Sequence, residues 1–446
     1  MKKTPIVEII LVILASLLYF AANLQRVAVP GAVFTLLQND LQTTAQSIAS
    51  LGSYFMYVYA ASQLVIGILI ARYGGFKVIT LGSILFFAGS LLFPVAQTLP
   101  LLYFSRVLIG VGSASFYLSL IAETKKIVPH KNFGVILSIV LLVGFLGGIV
   151  ANAPLVVCID KLGWRETFWI TGVATAVIAI LFIVISKFAD KEPEDKTVKF
   201  DFSTFKSVFS DRRNNVLYTF SFINYGLYYV IQTVIGKKFL EDFCMITNIK
   251  AATVLSVMGA LYAFAGSIIA IMSKAAVSRR VIFLKIASFN TFFSFAIILA
   301  CLFVDFKDPI IPSLLFCSLS FWGSLSPLLV PLLHDINNPK IAGTAVSILT
   351  CGFCVTVGIL GNVVGFCLDL FRNHQTLNLP MFHGNGAYIA IFSFGLMLAV
   401  IALINVFKIE ESQKTKRILA HLRYLENVQL EREGKIEDLR HHSYHI

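Results

Sequence analysis

The fold is decided by the stretch Gly67-Ile-Leu-Ile-Ala-Arg-Tyr-Gly-Gly-Phe-Lys77, a short basic turn between two long apolar runs. The runs are Ser53–Ile70 and Val78–Ala96. Each approaches the length of about 20 mostly apolar residues that a helix needs to cross a bilayer. Short cytoplasmic loops carry an excess of Lys and Arg. The stretch therefore predicts two membrane helices joined by a cytoplasmic turn.

The composition agrees with this interpretation. Of the 446 residues, 57% are hydrophobic and 13% are charged, whereas soluble domains carry about 25% charged residues. The apolar runs are continuous and do not alternate as the strands of a membrane barrel do, so the spans are helices. The net charge of +12 comes from Lys and Arg concentrated in alternate loops, as membrane orientation requires, and we expect no nucleic-acid partner.

Segments long and apolar enough to cross a bilayer recur about twelve times along the chain. The predicted spans are 5–36, 47–71, 77–97, 100–122, 133–157, 166–187, 215–239, 251–273, 281–304, 309–333, 342–371 and 386–407. The basic N-terminus with its apolar run has the look of a signal peptide. The run continues past the usual apolar core of about 7–15 residues, so we interpret it as an uncleaved first helix.

Residues 188–214 interrupt the apolar pattern with a polar run that contains Pro193. This predicts a six-helix bundle at 1–187, a cytoplasmic linker at 188–214, a second six-helix bundle at 215–407 and a cytoplasmic tail at 408–446. The bias of Lys and Arg toward the linker and alternate loops places both termini in the cytoplasm. The expected location is the inner (plasma) membrane, with the lipid bilayer as a partner and the chain as a monomer.

The quoted stretch resembles the signature loop between helices 2 and 3 of the major facilitator superfamily. Four positions match that signature, namely Gly67, Leu69, Arg72 and Gly74. Ala71 stands where the family has Asp, and Gly75 stands where it has Arg. The resemblance implies a conformational latch at this turn, made of Gly67, Arg72, Gly74 and Lys77. The missing Asp puts the charge contacts of that latch in doubt.

Further motifs extend the resemblance along the chain. Arg106, Gly110 and Gly112 in span 4 are similar to the family's Arg-xxx-Gly-x-Gly motif, and Gly163-Trp164-Arg165 is similar to the start of its sixth helix. The resemblance implies an all-α integral membrane fold of two pseudo-symmetric bundles. It also implies a bacterial nutrient permease, a symporter included. Span 5 lacks the Gly-Pro of drug antiporters.

The two halves echo each other weakly. Span 5 carries Gly144, Gly147, Asn152, Cys158 and Asp160 in that order. Span 11 repeats a similar order of residue types, with Gly358, Gly361, Asn362, Cys367 and Asp369. Small residues at such spacing let helices pack closely. The echo therefore supports an internal duplication and predicts close helix packing at both spans.

The family resemblance implies that spans 1, 4, 7 and 10 line a central cavity. Polar side chains are costly in lipid and usually face the protein interior or water, and here they recur at helical spacing. The candidate substrate-binding residues, including two from span 2, are Asn23, Arg26, Tyr57, Gln63, Arg106, Ser113, Tyr117, Asn224, Tyr225, Tyr228, Gln232 and Trp322. Two alternatives stay open: Arg26 at the outer water interface, and Arg106 as an anchor between helices.

No Asp or Glu lies deep in a predicted span, although intramembrane carboxylates are the usual proton relays. A cavity with two guanidinium groups and no acid favours an anionic or carboxylate-bearing substrate such as an amino acid, organic acid or sugar phosphate. A co-transported proton or counter-ion is left open, with Glu8 and Glu123 as the acids near the cytoplasmic ends. The predicted function is secondary active or facilitated transport by alternating access.

Other functions were weighed against transport of a nutrient. One alternative is an exporter of a small metabolite or drug, and one of another class is a non-transporting membrane sensor or assembly factor, which Ala71 favours. We expect no enzyme, because the spans lack clusters of His, Asp and Glu. No nucleotide-binding loop is present. The seven cysteines, including Cys351 and Cys354, are interpreted as small apolar residues. We expect no metal and no cofactor.

Overall fold

The computed structural model describes residues 6–189, 202–275, 280–373, 382 and 384–409. These parts are helical, with short turns between the helices. Residues 190–201 of the expected linker and residues 410–446 of the expected tail lie outside the described residues, as do Lys2 and Lys3.

The N-terminal half forms eight helices. They are α1 (Ile6–Ala28), α2 (Phe34–Asp40), α3 (Ala45–Tyr73), α4 (Gly75–Val95), α5 (Leu99–Ile127), α6 (His130–Val150), α7 (Ala153–Leu162) and α8 (Trp164–Ser186). A 3₁₀ turn at Gly31–Val33 precedes α2. Apolar side chains fill the interior of the bundle, and many others on the long helices are exposed, as lipid-facing residues are.

The C-terminal half follows the same plan. Its helices are α9 (Phe202–Ser210), α10 (Arg212–Val230), α11 (Gly236–Asp242), α12 (Asn248–Ala275), α13 (Arg280–Phe303), α14 (Ile310–Gly323), α15 (Ser326–Ile336), α16 (Pro339–Asn373) and α17 (Gly386–Val406). A π-helical turn, Ile231–Ile235, joins α10 to α11. The short helix α9 lies in the C-terminal part of the expected linker.

Ten helical segments of the described parts are long and apolar enough to span a membrane, with α14 and α15 counted as one segment, and α6 with α7 makes an eleventh as one bent span. The remaining expected span is 215–239, the seventh in chain order. It is helical through α10, the π turn and α11 but is not among these segments. It carries many polar side chains, including Asn224 and Gln232. The all-α membrane fold predicted from the sequence is confirmed.

Two spans are broken where proline removes a backbone donor. Helices α6 and α7 meet at 45°, where Pro154 in the first turn of α7 lacks the N–H that would continue the α6 ladder. The predicted span 10 divides into α14 and α15 just before Pro327. The sequence predicted this second break from Pro327 and Pro331.

Two antiparallel seams join the halves at the end of the bundle where α3 begins, which we call the closed end. The α3–α16 seam consists of Ala45, Gln46, Ser50, Ser53 and Tyr57 against Gly358, Asn362 and Asp369. The α7–α12 seam consists of Ile149 at the end of α6, together with Ala153 and Asp160 of α7, against Asn248 and Ser256 of α12. A further close approach brings Gly31 against the carbonyl of Thr233, where an added Cβ would lie 2.8 Å from that oxygen.

The signature turn is a tight connection between α3 and α4. Gly74 has φ +83°, a conformation that favours glycine. The N–H of Gly75 donates to Glu123 Oε1 at 2.6 Å, and a Cβ on Gly75 would lie 2.4 Å from that oxygen. A side chain at position 75 would therefore have to displace the side chain of Glu123.

Candidate substrate cavity

A cavity of about 510 Å³ lies between the two halves. Its walls come from α1, α3, α5 and α6 on one side and from α10, α12, α16 and the α14–α15 break on the other. It extends from Arg26 away from the closed end, reaching Gln63 on α3 and Thr350 on α16. The predicted hollow between the bundles is therefore present.

Arg26 is the single charged side chain among the described residues that line the cavity. Its Nη2 donates to Asn23 Oδ1, and its Nε is buried without a hydrogen-bond partner in the described parts of the chain. The rings of Tyr229 and Tyr59 flank the guanidinium, with centroids 5.7 and 6.0 Å from Cζ. An uncompensated guanidinium with free donors is suited to bind an anion.

Tyrosines surround Arg26 from both halves. Tyr19 lies 5.8 Å from Tyr117 between ring centroids, while Tyr228 stacks on Tyr262 at 5.0 Å and Tyr225 stacks on Phe353 at 4.3 Å. These rings give the cavity an apolar wall that carries hydroxyl groups. The wall combines shape with a few polar contacts, as small-molecule sites do.

A smaller recess of about 70 Å³ continues past Arg26 toward the closed end. Arg26, Tyr225 and Tyr262 border both spaces. Of the candidate residues, Arg26, Gln63, Tyr117 and Tyr225 line the cavity, and Asn23, Tyr228 and Gln232 line the recess.

Arg106 lies outside both spaces, contrary to the expected cavity position. Its side chain is fully buried and donates to three backbone carbonyls, those of Leu51, Gln25 and Val29, at 3.2, 3.1 and 3.4 Å. Its guanidinium lies 4.7 Å from the ring centroid of Phe55. Because these carbonyls belong to α3 and to the C-terminal end of α1, Arg106 is the anchor between helices that the sequence left open as an alternative.

Four other candidates also lie away from the cavity. The hydroxyl of Tyr57 accepts a hydrogen bond from Asn362 in the α3–α16 seam, and Ser113 donates to Gly110 on its own helix. Asn224 accepts from Thr291 and donates to the carbonyl of Trp322. These hydrogen bonds lie within one helix or join packed helices, and helical spacing alone does not distinguish such positions from cavity lining.

Sequence reasoning missed part of the lining. The lining residues that were not among the candidates include Tyr19, Tyr59, Tyr262, Ser267, Thr350 and Cys354. Tyr19 shares a helical face with Asn23 and Arg26, so that face already signalled it. The resemblance implied a cavity lined by spans 1, 4, 7 and 10, and Tyr262 of span 8 and Cys354 of span 11 lie outside those spans.

In the signature turn, Arg72 packs over the ring of Tyr73 at 5.2 Å, and its Nε is buried without a partner. An added Cβ on Gly67 would meet no atom within 4 Å. The latch role of Gly67, Arg72, Gly74 and Lys77 stays a prediction. The tight turn is set by Gly74 and Gly75.

Comparisons with known proteins agree with the fold. The probable sulfoacetate transporter SauU of Cupriavidus necator is 25% identical over 171 residues, 38% of this chain and 40% of the relative. The chloroplastic ascorbate transporter of Arabidopsis thaliana is 24% identical over 188 residues, 42% of this chain and 34% of the relative. The chain thus matches less than half the length of each relative.

Solved transporters share the whole architecture. A POT family transporter in complex with a thioalcohol-conjugated peptide has a TM-score of 0.72 at 13% identity, covering 91% of this chain and 96% of that one. A bacterial homologue of the human lysosomal transporter Spinster, inward-facing and unoccupied, has a TM-score of 0.68 at 14% identity, covering 92% and 100%. The Major Facilitator Superfamily model matches residues 12–362, and the chain belongs to that family of transporters.

Proposed function

We propose that the chain carries a small organic anion across the membrane by alternating access, and that Arg26 binds the anionic group. The observation that carries the proposal is the uncompensated guanidinium in a cavity between two bundles. The names of the two relatives support it, since sulfoacetate and ascorbate are both small organic anions.

The lining of the cavity offers a charged partner to one anionic group of the substrate. Arg26 is the only charged side chain among the described lining residues, so a single anionic group finds a partner there. A guanidinium can bind a carboxylate or sulfonate through two parallel hydrogen bonds. Such charge-assisted bonds contribute about 1.5–3 kcal/mol, which corresponds to at least about tenfold in affinity.

The proposed cycle moves the bundle 1–187 against the bundle 215–407 around this cavity. The seams close one end, and the positive-inside bias assigns the other end to the cytoplasm. In this topology both termini are cytoplasmic, the chain acts as a monomer in the inner (plasma) membrane, and the structure is inward-facing. A proton or counter-ion accompanies the substrate if transport is coupled.

Uptake into proteoliposomes tests the proposal. Labelled organic anions should accumulate or exchange, and Arg26→Gln should lower uptake at least about tenfold because it removes the charge-assisted bonds. The matched variant Arg26→Lys keeps the charge and should retain more activity. Arg213→Gln changes an exposed arginine that pairs with Asp211 and should leave uptake unchanged.

The outcome that would contradict the proposal is transport of a cation, or full uptake by Arg26→Gln. Repeating the assay with a collapsed proton gradient determines whether uptake is coupled to protons. A protein that moves none of the anions in either direction is the sensor or assembly factor that Ala71 left open.

A further inference from the structure

The recess behind Arg26 holds three polar atoms without hydrogen-bond partners among the described residues. They are Nε of Arg26, the hydroxyl of Tyr229 and Oε1 of Gln232. The side chains of Tyr229 and Gln232 are buried, at 5% and 3% exposure. A buried polar group without a partner costs about 1–3 kcal/mol, so these atoms are unsatisfied positions that a ligand can fill.

The orientation of the Gln232 amide is fixed by its neighbour. Its Nε2 donates to the carbonyl of Leu255 at 2.9 Å, which assigns the nitrogen and leaves Oε1 as the free atom. A carbonyl oxygen can only accept a hydrogen bond. Gln232 lies in the π turn Ile231–Ile235, and such turns occur frequently at functional sites.

The recess therefore needs two kinds of group from one ligand. The Nε–H of Arg26 donates and requires an acceptor, and the free oxygen of Gln232 requires a donor. Tyr229 can serve either. A carboxylate or sulfonate oxygen supplies the acceptor, and a hydroxyl group next to it supplies the donor.

Charge and size limit which group of the ligand can donate a hydrogen bond to Gln232. No carboxylate lines the cavity or the recess among the described residues, so an ammonium group there would face Arg26 without a counter-charge. The volume of about 70 Å³ is less than half of the roughly 150 Å³ of an engineered cavity that binds benzene. It accepts a hydroxyl-bearing carbon and excludes a ring.

We propose that this recess is a second subsite, which binds a hydroxyl group on the carbon next to the anionic group. The substrate class is then a 2-hydroxy acid, preferred over the matched plain acid and over the matched amino acid. The inference rests on the proposed function, because Arg26 binds the acid in both.

Thermal unfolding of the purified full chain, titrated with each compound, measures the preference without a known substrate. The probes are three matched sets: glycolate, acetate and glycine; lactate, propionate and alanine; mandelate, phenylacetate and phenylglycine. The hydroxy acid should bind about tenfold tighter than its plain partner in at least one set, since one satisfied buried hydrogen bond is of that size. The amino acid should bind more weakly than the hydroxy acid.

Two variants locate the preference in the recess. Gln232→Leu removes the acceptor and should reduce the tenfold preference to less than about twofold, while the plain acid still binds. Gly259→Ala adds a methyl group 3.9 Å from Gln232 Nε2 and 3.5 Å from Ile149 Cγ1, so it narrows the recess without a clash and should have the same effect. Gln97→Leu, at an exposed glutamine, is the matched control and should keep the preference.

The outcomes separate the two proposals. Equal binding of hydroxy and plain acids by the native chain, or a preference that persists in both Gln232→Leu and Gly259→Ala, overturns the second subsite and leaves the anion site standing. Stabilisation by none of the acids, or stabilisation that Arg26→Gln does not change, overturns the proposed function itself. If Gln232→Leu does not fold, Gly259→Ala still decides the question.

Discussion

The two seams that close the bundle have corresponding contacts, an aspartate at one end and a serine farther along, but they differ in the donors and in the helices that carry them. In the α3–α16 seam, Asp369 accepts hydrogen bonds from the backbone N–H groups of Ala45 and Gln46, each at 2.8 Å. In the α7–α12 seam, Asp160 accepts from the side chain of Asn248 at 2.7 Å. In both, a carboxylate near the end of one helix meets the start of a helix from the other half, where negative charge is favoured.

A second pair of contacts repeats at the same spacing. Ser53 donates to the carbonyl of Gly358 at 2.7 Å, and Ser256 donates to the carbonyl of Ile149 at 3.2 Å. Each serine follows the start of its seam by eight residues, and each carbonyl precedes its aspartate by eleven residues. The two seams are therefore structural counterparts, related by the pseudo-symmetry of the halves.

The seams differ in the helix that carries the carbonyl. Helix α16 is continuous over 35 residues, whereas the counterpart is broken into α6 and α7, which frees the N–H of Ala153 to bond Ser256. Glycines of α16 pack closely on α3, but the echoed Gly144 and Gly147 pack on α1 within their own half. Equal contacts thus form a tight seam on an unbroken helix and a looser one on a bent helix.

The largest expected effect is a loss of transport, caused by a bulky side chain at the open end of the α3–α16 pair. Gln46 lies against Gly365 and Ala60 against Cys351, so the same register continues to Gly67 opposite Thr344, the neighbour of Gly343. Added Cβ atoms at both glycines would meet no atom within 4 Å. Gly343→Trp should stop transport by blocking closure of this end, with unchanged thermal stability of the present conformation.

The measurement for Gly343→Trp is proteoliposome uptake beside a thermal unfolding curve, and Gly343→Ala is the size control that should retain uptake. Full uptake by the tryptophan variant would show that the two helices do not close along this register.

A smaller effect is expected from methyl groups added to the two seams. Gly365→Ala places a Cβ 2.7 Å from the Cα of Gln46, and this overpacking should lower the free energy of unfolding by about 1–3 kcal/mol. Gly259→Ala, where the closest atom is 3.5 Å away, should change it by less than about 0.5 kcal/mol. Denaturant unfolding of both variants measures the difference, and equal losses would contradict a tighter α3–α16 seam.

The smallest effect is expected from the two aspartates. Asp369→Asn replaces one acceptor oxygen with a donor that faces a backbone N–H, and should weaken the seam by about 1–2 kcal/mol. Asp160→Asn keeps an acceptor for the single donor from Asn248, and should cost less than about 1 kcal/mol. Thermal unfolding of both variants in one detergent measures which substitution destabilises the chain more. A larger loss of stability in Asp160→Asn than in Asp369→Asn would contradict the prediction.

Much of the fold could be predicted from the sequence, because the length and apolar content of each span are local properties. The break before Pro327 is also a local property, and the division around 188–214 stays a prediction. The bend at Pro154 was not predicted, since the apolar run continues through it. The seam contacts of Asp369 were also invisible, because they join residues more than 300 positions apart.

The candidate site was predicted less completely, and the two arginines show why. Arg26 and Arg106 both stand on a helical face with other polar residues, and helical spacing does not separate them. Their hydrogen-bond partners separate them. Arg106 donates to three backbone carbonyls, whereas Arg26 donates to the side chain of Asn23. Helical spacing specifies a face but not what that face meets.

The lining of the cavity also has a practical consequence. Cys354 carries a free thiol and lines the same cavity as Arg26, from the opposite wall. A membrane-impermeant maleimide added to one side of sealed vesicles reaches this sulfur only from the side to which the cavity is open, and a bound substrate shields it. Peptide mass mapping distinguishes Cys354 from the other six cysteines, so native labelling rates report which side is open without an engineered probe.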